Sequence, residues 1–142
     1  MLRIRNAYED ALKLLDATRY TSRATRLGNV HFFAGDWNIA KQFLDLGFTL
    51  SFTGVITFTH DYDEVVKNTP LDMILTETDS PYITPEPIRR QPRKVAFGNH
   101  GGTRNEPVNV RYIVQRIAEI KNLPVEQVQR AVVENAKRVF GV

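Results

Sequence analysis

The stretch that decides the fold occupies residues 71–82 and reads LDMILTETDSPY. Its first five residues are nearly all apolar, which is typical of a strand buried on both faces. Polar residues begin abruptly at Glu77, and Pro81 ends the run. A carboxylate at the carboxyl end of a buried parallel strand lies where α/β proteins bind their ligands. Asp79 is therefore the first candidate for a functional residue.

The segments on either side of this stretch alternate between strand and helix patterns. Besides residues 71–75, the patterns predict strands at residues 1–5, 29–33 and 48–52. Helices are predicted between them, the first capped by Asn6 and the third at residues 61–66, whereas residues 18–26 fit either a helix end or a loop. Two further helices, opened by Pro107 and Pro124, end the chain. This order predicts an α/β fold with about four parallel strands, flanking helices and two C-terminal helices.

Composition narrows the class of protein. The chain has 142 residues, 42% of them hydrophobic and 25% charged, which favours one soluble globular domain over residues 1–142. No stretch approaches the roughly 18 apolar residues of a membrane span, so we expect a cytoplasmic protein without membrane contact. The chain contains no cysteine, which excludes disulfides and thiolate ligands. Any metal must therefore be held by His, Asp or Glu.

A metal site is one of two interpretations of His31. On its own, a histidine in an apolar strand is either a hydrogen-bonded core residue or a ligand. Parallel strands would bring His31 and Asp79 to the same sheet edge, where imidazole and carboxylate could share one ion. A catalytic zinc takes three protein ligands, so a third must be found. His60 and His100 are weaker candidates, and His60 fits a solvated loop or cap.

Glu77 also has two interpretations. It is either a buried acid paired with an arginine or the residue that holds a metal ligand in orientation.

Basic residues are concentrated in one Pro- and Gly-rich stretch, although the formal net charge is only +3. They are Arg89, Arg90, Arg93, Lys94 and Arg104. The stretch is either a solvated loop or a surface for phosphate groups. Arg104 and Asn105 precede a predicted helix N-terminus, which attracts anions. Phosphate and DNA are thus candidate ligands, but few aromatic residues are available to stack on bases.

Five motifs then appear in a fixed order along the chain. They are HFFAG at 31–35, SFTG at 51–54, ETDSPY at 77–82, RNEP at 104–107 and ENAKRVFG at 134–141. In this order they resemble the motifs of the TatD family of metal-dependent deoxyribonucleases. The similarity covers nearly the whole chain but corresponds to the second half of a (β/α)₈ barrel, a fold that typically needs about 250 residues.

The resemblance implies a hydrolase of phosphodiester bonds that uses paired divalent ions. It implies that His31 and Asp79 are metal ligands, that Asp79 is catalytic and that the ion is zinc, magnesium or manganese. The sequence departs from the family in two respects. The half that carries the family's opening His-x-His and a glutamate ligand is absent, and Arg3 stands where the family has another histidine ligand. A guanidinium has no lone pair to donate to a metal.

Two functions follow as alternatives. The first is a metal-dependent hydrolase fragment with an incomplete site, completed by His100 or by a second subunit. The second is a non-catalytic half-barrel that binds phosphate or nucleic acid through the basic stretch. Half a barrel leaves open strand edges beside what we expect to be an uncovered apolar interior. For both functions we therefore predict a homodimer that closes these edges.

Overall fold

The computed structural model describes residues 1–4, 7–17, 28–90 and 103–141. Its centre is a sheet of four parallel strands: β1 (Leu2–Arg3), β2 (Gly28–His31), β3 (Phe48–Phe52) and β4 (Ile74–Thr76). The spatial order of the strands is the same as their order in the sequence. A doubly wound sheet would reverse direction at a switch point, whereas a barrel adds each strand beside the last. The sheet therefore has the strand order of a barrel.

Five α-helices accompany the sheet in the described part of the chain. They are α1 (Tyr8–Ala17), α2 (Trp37–Asp45), α3 (Asp63–Asn68), α4 (Val110–Lys121) and α5 (Val125–Phe140). Helix α2 begins at Asp36, whose carboxylate accepts a hydrogen bond from the Ile39 amide at 2.9 Å. Helix α5 ends at Gly141 in the left-handed conformation. No helix of the described residues is both long and apolar enough to span a bilayer.

The strand register divides the side chains between two faces. Val30, Leu50 and Ile74 are paired across the sheet and belong to the hydrophobic core formed with the helices. The neighbouring positions face the other way and include Arg3, Asn29, His31, Thr49, Ser51, Leu75 and Glu77. We call this second side the inner face, because it corresponds to the inside of a barrel.

The expectation of an apolar, uncovered interior is wrong for the middle of the inner face. Asn29, Thr49 and Ser51 are polar, and each is at most 2% exposed. The Asn29 amide donates to the Ser51 hydroxyl at 2.8 Å, and the Thr49 hydroxyl donates to the Asn29 carbonyl oxygen at 3.1 Å. Their mutual hydrogen bonds offset the cost of burying them.

The predicted boundaries differ from the observed ones in several places. Residues 71–73 form a 3₁₀ turn instead of strand, so β4 has only three residues. The predicted strand 29–33 ends at His31, because Phe32 has a positive φ of 48°. Pro107 opens a 3₁₀ turn that precedes α4, and Pro124 lies one residue before α5. Asn6 and residues 18–26 lie outside the described part.

Candidate metal centre

The candidate metal site lies at the carboxyl ends of two strands, β2 and β4. His31 is the last residue of β2, and Glu77 and Asp79 follow the end of β4. The Glu77 amide donates to Phe52 O at 3.1 Å, which continues the pairing of β3 and β4 beyond the last assigned residue. The parallel strands bring these three side chains to the same carboxyl edge, where the sequence predicts that His31 and Asp79 meet. Their ligand atoms all lie within 4.8 Å of one another.

The imidazole of His31 lies between the two carboxylates. Its Nδ1 is 2.7 Å from Glu77 Oε2, and its Nε2 is 3.5 Å from Asp79 Oδ1. An ionised carboxylate only accepts hydrogen bonds, so contact with Glu77 places the proton of neutral His31 on Nδ1. The Nε2 lone pair then points towards Asp79. The three side chains are 12–19% exposed, so the cluster is largely shielded yet reachable from solvent.

Glu77 is held by two donors. One of its oxygens accepts from His31, and the other accepts from the Phe32 amide. Burial raises the pKa of Glu77 above its ordinary value, while the hydrogen bonds from His31 and Phe32 oppose that shift. Of the two interpretations made from the sequence, the geometry agrees with the orienting one, because the partner of Glu77 is the histidine and not an arginine.

The turn that carries Asp79 is fixed by Asn105. Asp79 has a positive φ of 51°, and the Tyr82 amide donates back to its carbonyl at 2.9 Å. The Asn105 amide nitrogen lies 2.8 Å from Thr78 O, 2.7 Å from Tyr82 O and 3.2 Å from Ile83 O. The Asn105 side-chain oxygen accepts from the Glu106 amide and from Asn109. Because Asn105 is 1% exposed and its amide hydrogens serve these carbonyls, its side chain has no donor left for a phosphate.

Gly54 allows the same turn to approach the end of β3. A Cβ at this position would lie 2.4 Å from the Ile83 carbonyl oxygen and 3.3 Å from Pro85. Only glycine fits such a close backbone approach. Further along, the Thr84 hydroxyl donates to the Thr103 carbonyl. The segment after β4 therefore contacts Gly54 at the end of β3 and is hydrogen-bonded to Thr103.

A pocket of about 430 Å³ opens in front of His31 and Asp79. It is also lined by Arg3, Ile4, Tyr8, Phe32, Ala34, Tyr82 and Ile83. The sequence indicates Arg3 only as a position that has lost a metal ligand, and it does not single out Tyr8 as a site residue. The strand pairing reveals the position of Arg3, since Arg3 is opposite His31 in the register of β1 and β2. The Tyr8 hydroxyl accepts a hydrogen bond from the Ala34 amide at 2.9 Å.

The other sequence candidates lie elsewhere. His60 is bonded to Asp63 at 2.8 Å and its side chain is 85% exposed, which matches the predicted solvated residue. Arg89 lies over the Phe58 ring at 4.3 Å, and Arg90 pairs with Glu86 at 3.1 Å. His100, Arg93 and Lys94 are outside the described residues.

Arg104 is exposed and lines a separate cavity of about 330 Å³ with residues 80–81 and 105–107. The structure therefore brings His31, Glu77 and Asp79 together but does not bring the described arginines 89, 90 and 104 to them.

The family follows from comparison with known proteins. The family model described as "TatD related DNase" matches residues 1–141. The chain belongs to this family. Among curated TatD relatives, the uncharacterized metal-dependent hydrolase YabD of Bacillus subtilis is 36% identical over 141 residues, and YcfH of Escherichia coli K12 is 33% identical over 140 residues. Each alignment covers 97% of this chain, but only 49% and 47% of the relatives.

Solved structures give the same picture of the fold. The TatD homologue YJJV from Escherichia coli matches with a TM-score of 0.79 and 23% identity, covering 99% of this chain and 49% of YJJV. A TatD family hydrolase from Entamoeba histolytica matches with a TM-score of 0.76 and 22% identity, covering 96% and 48%. The chain thus spans about half the length of its TatD relatives, and the predicted half of a TIM barrel is confirmed.

Proposed function

We propose that this TatD chain carries part of a metal-dependent hydrolase site that acts on phosphodiester bonds, including those of DNA. In this proposal His31 Nε2 and Asp79 bind one divalent ion, and Glu77 fixes the orientation and tautomer of His31. Asp79, which contacts the ion and faces the pocket, is the catalytic residue. The observation that carries the proposal is the separation of 3.5 Å between His31 Nε2 and Asp79 Oδ1, with Nδ1 of the same ring held by Glu77.

That separation suits two ligands of one ion. Nitrogen and oxygen ligands about 2.05 Å from a tetrahedral zinc lie about 3.3 Å from each other. The observed 3.5 Å is close to this value, so the two donors need to move little to share an ion. Imidazole nitrogen favours zinc, and carboxylate oxygen also suits manganese and magnesium. A divalent ion at such a site supplies Lewis-acid chemistry and a nucleophile at neutral pH.

The described residues supply only part of a catalytic metal site. Among the described residues, the only group of three or more possible metal ligands is His31, Glu77 and Asp79. Glu77 already accepts hydrogen bonds from His31 and from the Phe32 amide. Since the TatD relatives are about twice as long, we propose that the remaining ligands lie outside these 142 residues, in a segment that corresponds to the other half of the relatives or in a second copy. The chain alone should bind one ion and hydrolyse slowly. The same proposal includes a cytoplasmic location, with which the cysteine-free sequence is compatible.

Isothermal titration calorimetry with divalent metal ions tests the proposal. Zinc or manganese should bind with a stoichiometry of one, and His31→Ala and Asp79→Ala should each abolish binding. His60→Ala is a matched control, because His60 also lies 2.8 Å from a carboxylate but outside the pocket. Hydrolysis of bis-p-nitrophenyl phosphate and of single-stranded DNA should disappear with the same two variants. Absence of binding at millimolar metal would refute the metal site.

We further propose a homodimer. Strands β1 and β4 are the two edges of the sheet, and each has a neighbour on one side only in the described part. Such edges expose backbone donors and acceptors that a second copy can pair. Because the middle of the inner face is polar, backbone pairing along the edges is the main reason for this proposal. Light scattering coupled to size-exclusion chromatography should give twice the monomer mass of 16.3 kDa, and a monomer at all concentrations would refute it.

The second candidate function is binding of phosphate or nucleic acid without catalysis, through Arg89, Arg90 and Arg104. Its support is that all three residues are exposed and that Arg104 lines its own cavity. Binding of this kind releases counterions, so DNA affinity should fall steeply with added salt. A DNA affinity that does not change with salt would exclude it.

A further inference from the structure

Arg3 occupies a position in the pocket that a metal ligand could also occupy. It is paired with His31 in the parallel register of β1 and β2, so the two side chains leave the sheet on the same face. It lines the same 430 Å³ pocket as His31 and Asp79. A permanently charged group therefore lies beside the two proposed ligands.

The Arg3 side chain is exposed to solvent. Across residues 1–4, 7–17, 28–90 and 103–141, the structure gives its guanidinium no hydrogen bond and no ion pair. The nearby Glu77 is instead engaged with His31 and Phe32. Arg3 therefore retains its N–H donors for a ligand that enters the pocket.

The chemistry of that ligand follows from the donors. Guanidinium cannot bind a cation, but its planar set of N–H groups matches two oxygens of a phosphate. Once a divalent ion offsets the carboxylates of Glu77 and Asp79, the charge of Arg3 leaves the pocket positive. A phosphate can then contact the ion with one oxygen and Arg3 with others.

We propose that Arg3 is the phosphate-binding residue of this pocket and holds the substrate phosphate next to the His31–Asp79 pair. The inference rests on the proposed function, because it assigns the substrate-binding part of that same site. In this arrangement the positive charge of Arg3 offsets the negative charge of the phosphate, as a second divalent ion could also do. It also separates the phosphate site from Arg89, Arg90 and Arg104, which lie outside this pocket.

Calorimetric titration with inorganic phosphate tests the assignment, using the whole chain both metal-free and loaded with manganese. Arg3→Gln should weaken phosphate binding about 10- to 100-fold, as expected when a charge-assisted bidentate contact is lost. Arg3→Lys should recover part of the affinity, since it restores the charge but not the planar donors. Manganese should strengthen binding to the wild type, and phosphate should strengthen manganese binding by the same factor.

Arg111→Gln is the control, because Arg111 is an exposed arginine outside the pocket and the change should not alter phosphate affinity. Arg90→Gln tests the competing phosphate site of the second candidate function, and under the present assignment it should leave the affinity unchanged. The proposal is overturned if the wild type binds no phosphate in either form, if Arg3→Gln binds it as tightly, or if Arg90→Gln loses as much affinity. Thermal unfolding followed by circular dichroism should show that Arg3→Gln is folded.

Manganese titration without phosphate reports separately on the proposed function. Arg3→Gln should bind manganese at least as tightly as the wild type, because the substitution removes a neighbouring positive charge. Failure of manganese to bind the wild type would refute the metal site, whereas a phosphate affinity independent of Arg3 would refute only the present assignment.

Discussion

Replacing Glu77 by glutamine should weaken metal binding while leaving the fold intact. Glu77 has two acceptor oxygens, one for the Phe32 amide and one for His31 Nδ1. Glutamine has the same shape but only one acceptor oxygen, and its other terminus is a donor. Glutamine therefore cannot accept a hydrogen bond from both donors.

Either orientation of the new amide has a cost. If its oxygen faces Phe32, its nitrogen faces His31, and the imidazole proton must move from Nδ1 to Nε2. The ring would then donate to Asp79 and would have no lone pair for an ion. If its oxygen faces His31, the Phe32 amide is left without an acceptor at a residue whose φ is already 48°. The first orientation competes directly with the metal.

Loss of such an orienting partner typically lowers metal affinity about 10- to 100-fold. That range corresponds to about 1.4–2.7 kcal/mol of binding free energy. Calorimetric titration with zinc or manganese measures the affinity, and ¹⁵N NMR of the imidazole reports which nitrogen carries the proton.

Glu86→Gln is the matched control for this experiment. The side chains of Glu77 and Glu86 are both 18% exposed, but Glu86 pairs with Arg90 and lies outside the pocket. If Glu77→Gln binds the ion as tightly as Glu86→Gln does, then Glu77 does not orient His31 and our reasoning is refuted.

Three further changes test the supporting structure. Asn105→Ala should destabilise the protein by about 1–3 kcal/mol in urea unfolding, because the partly buried hydrogen bonds to the carbonyls of Thr78 and Tyr82 are lost. Exposed Asn68→Ala is the control, and equal effects would contradict this role. Gly54→Ala should lower both the melting temperature and the metal affinity, since its Cβ would meet Ile83 O at 2.4 Å, and an unchanged melting curve would contradict the contact. Burial lowers the pKa of Lys121 below 10.5. As pH rises towards that value, the folded chain loses this proton before the unfolded chain does, so the unfolded chain binds more protons than the folded one. The stability of the wild type relative to Lys121→Met should therefore increase between neutral pH and 10.5, and a stability difference that does not change with pH would contradict this reasoning.

The parts of the fold that sequence predicted well are those decided by local pattern. Residues 48–52 form the predicted strand without a change of boundary, because every side chain there is buried and no competing turn signal is present. The apolar run at 71–75 was misassigned at its start. Pro70 begins a turn in which the Met73 amide donates to the Pro70 carbonyl, and hydrophobicity alone does not distinguish this turn from a strand.

The candidate site shows the same division. The meeting of His31 and Asp79 followed from the parallel order of the strands, since parallel strands share one carboxyl edge. The role of Asn105 did not follow, because its contacts join positions 22 to 27 residues apart across a turn. The sequence places Asn105 correctly before a helix but predicts it to bind phosphate, whereas its amide hydrogens are used within the fold.

The hydrogen bond between Thr84 and Thr103 has a consequence for changes in the length of this chain. It holds the backbone of residue 103 beside the side chain of residue 84, so these two positions are at a fixed distance from each other. When the two ends of a segment are held at a fixed distance, each doubling of its length lowers the free energy of unfolding by only about 0.6 kcal/mol through loop-closure entropy. A change in the number of residues between positions 90 and 103 should therefore cost little stability and leave the geometry around His31 unaltered.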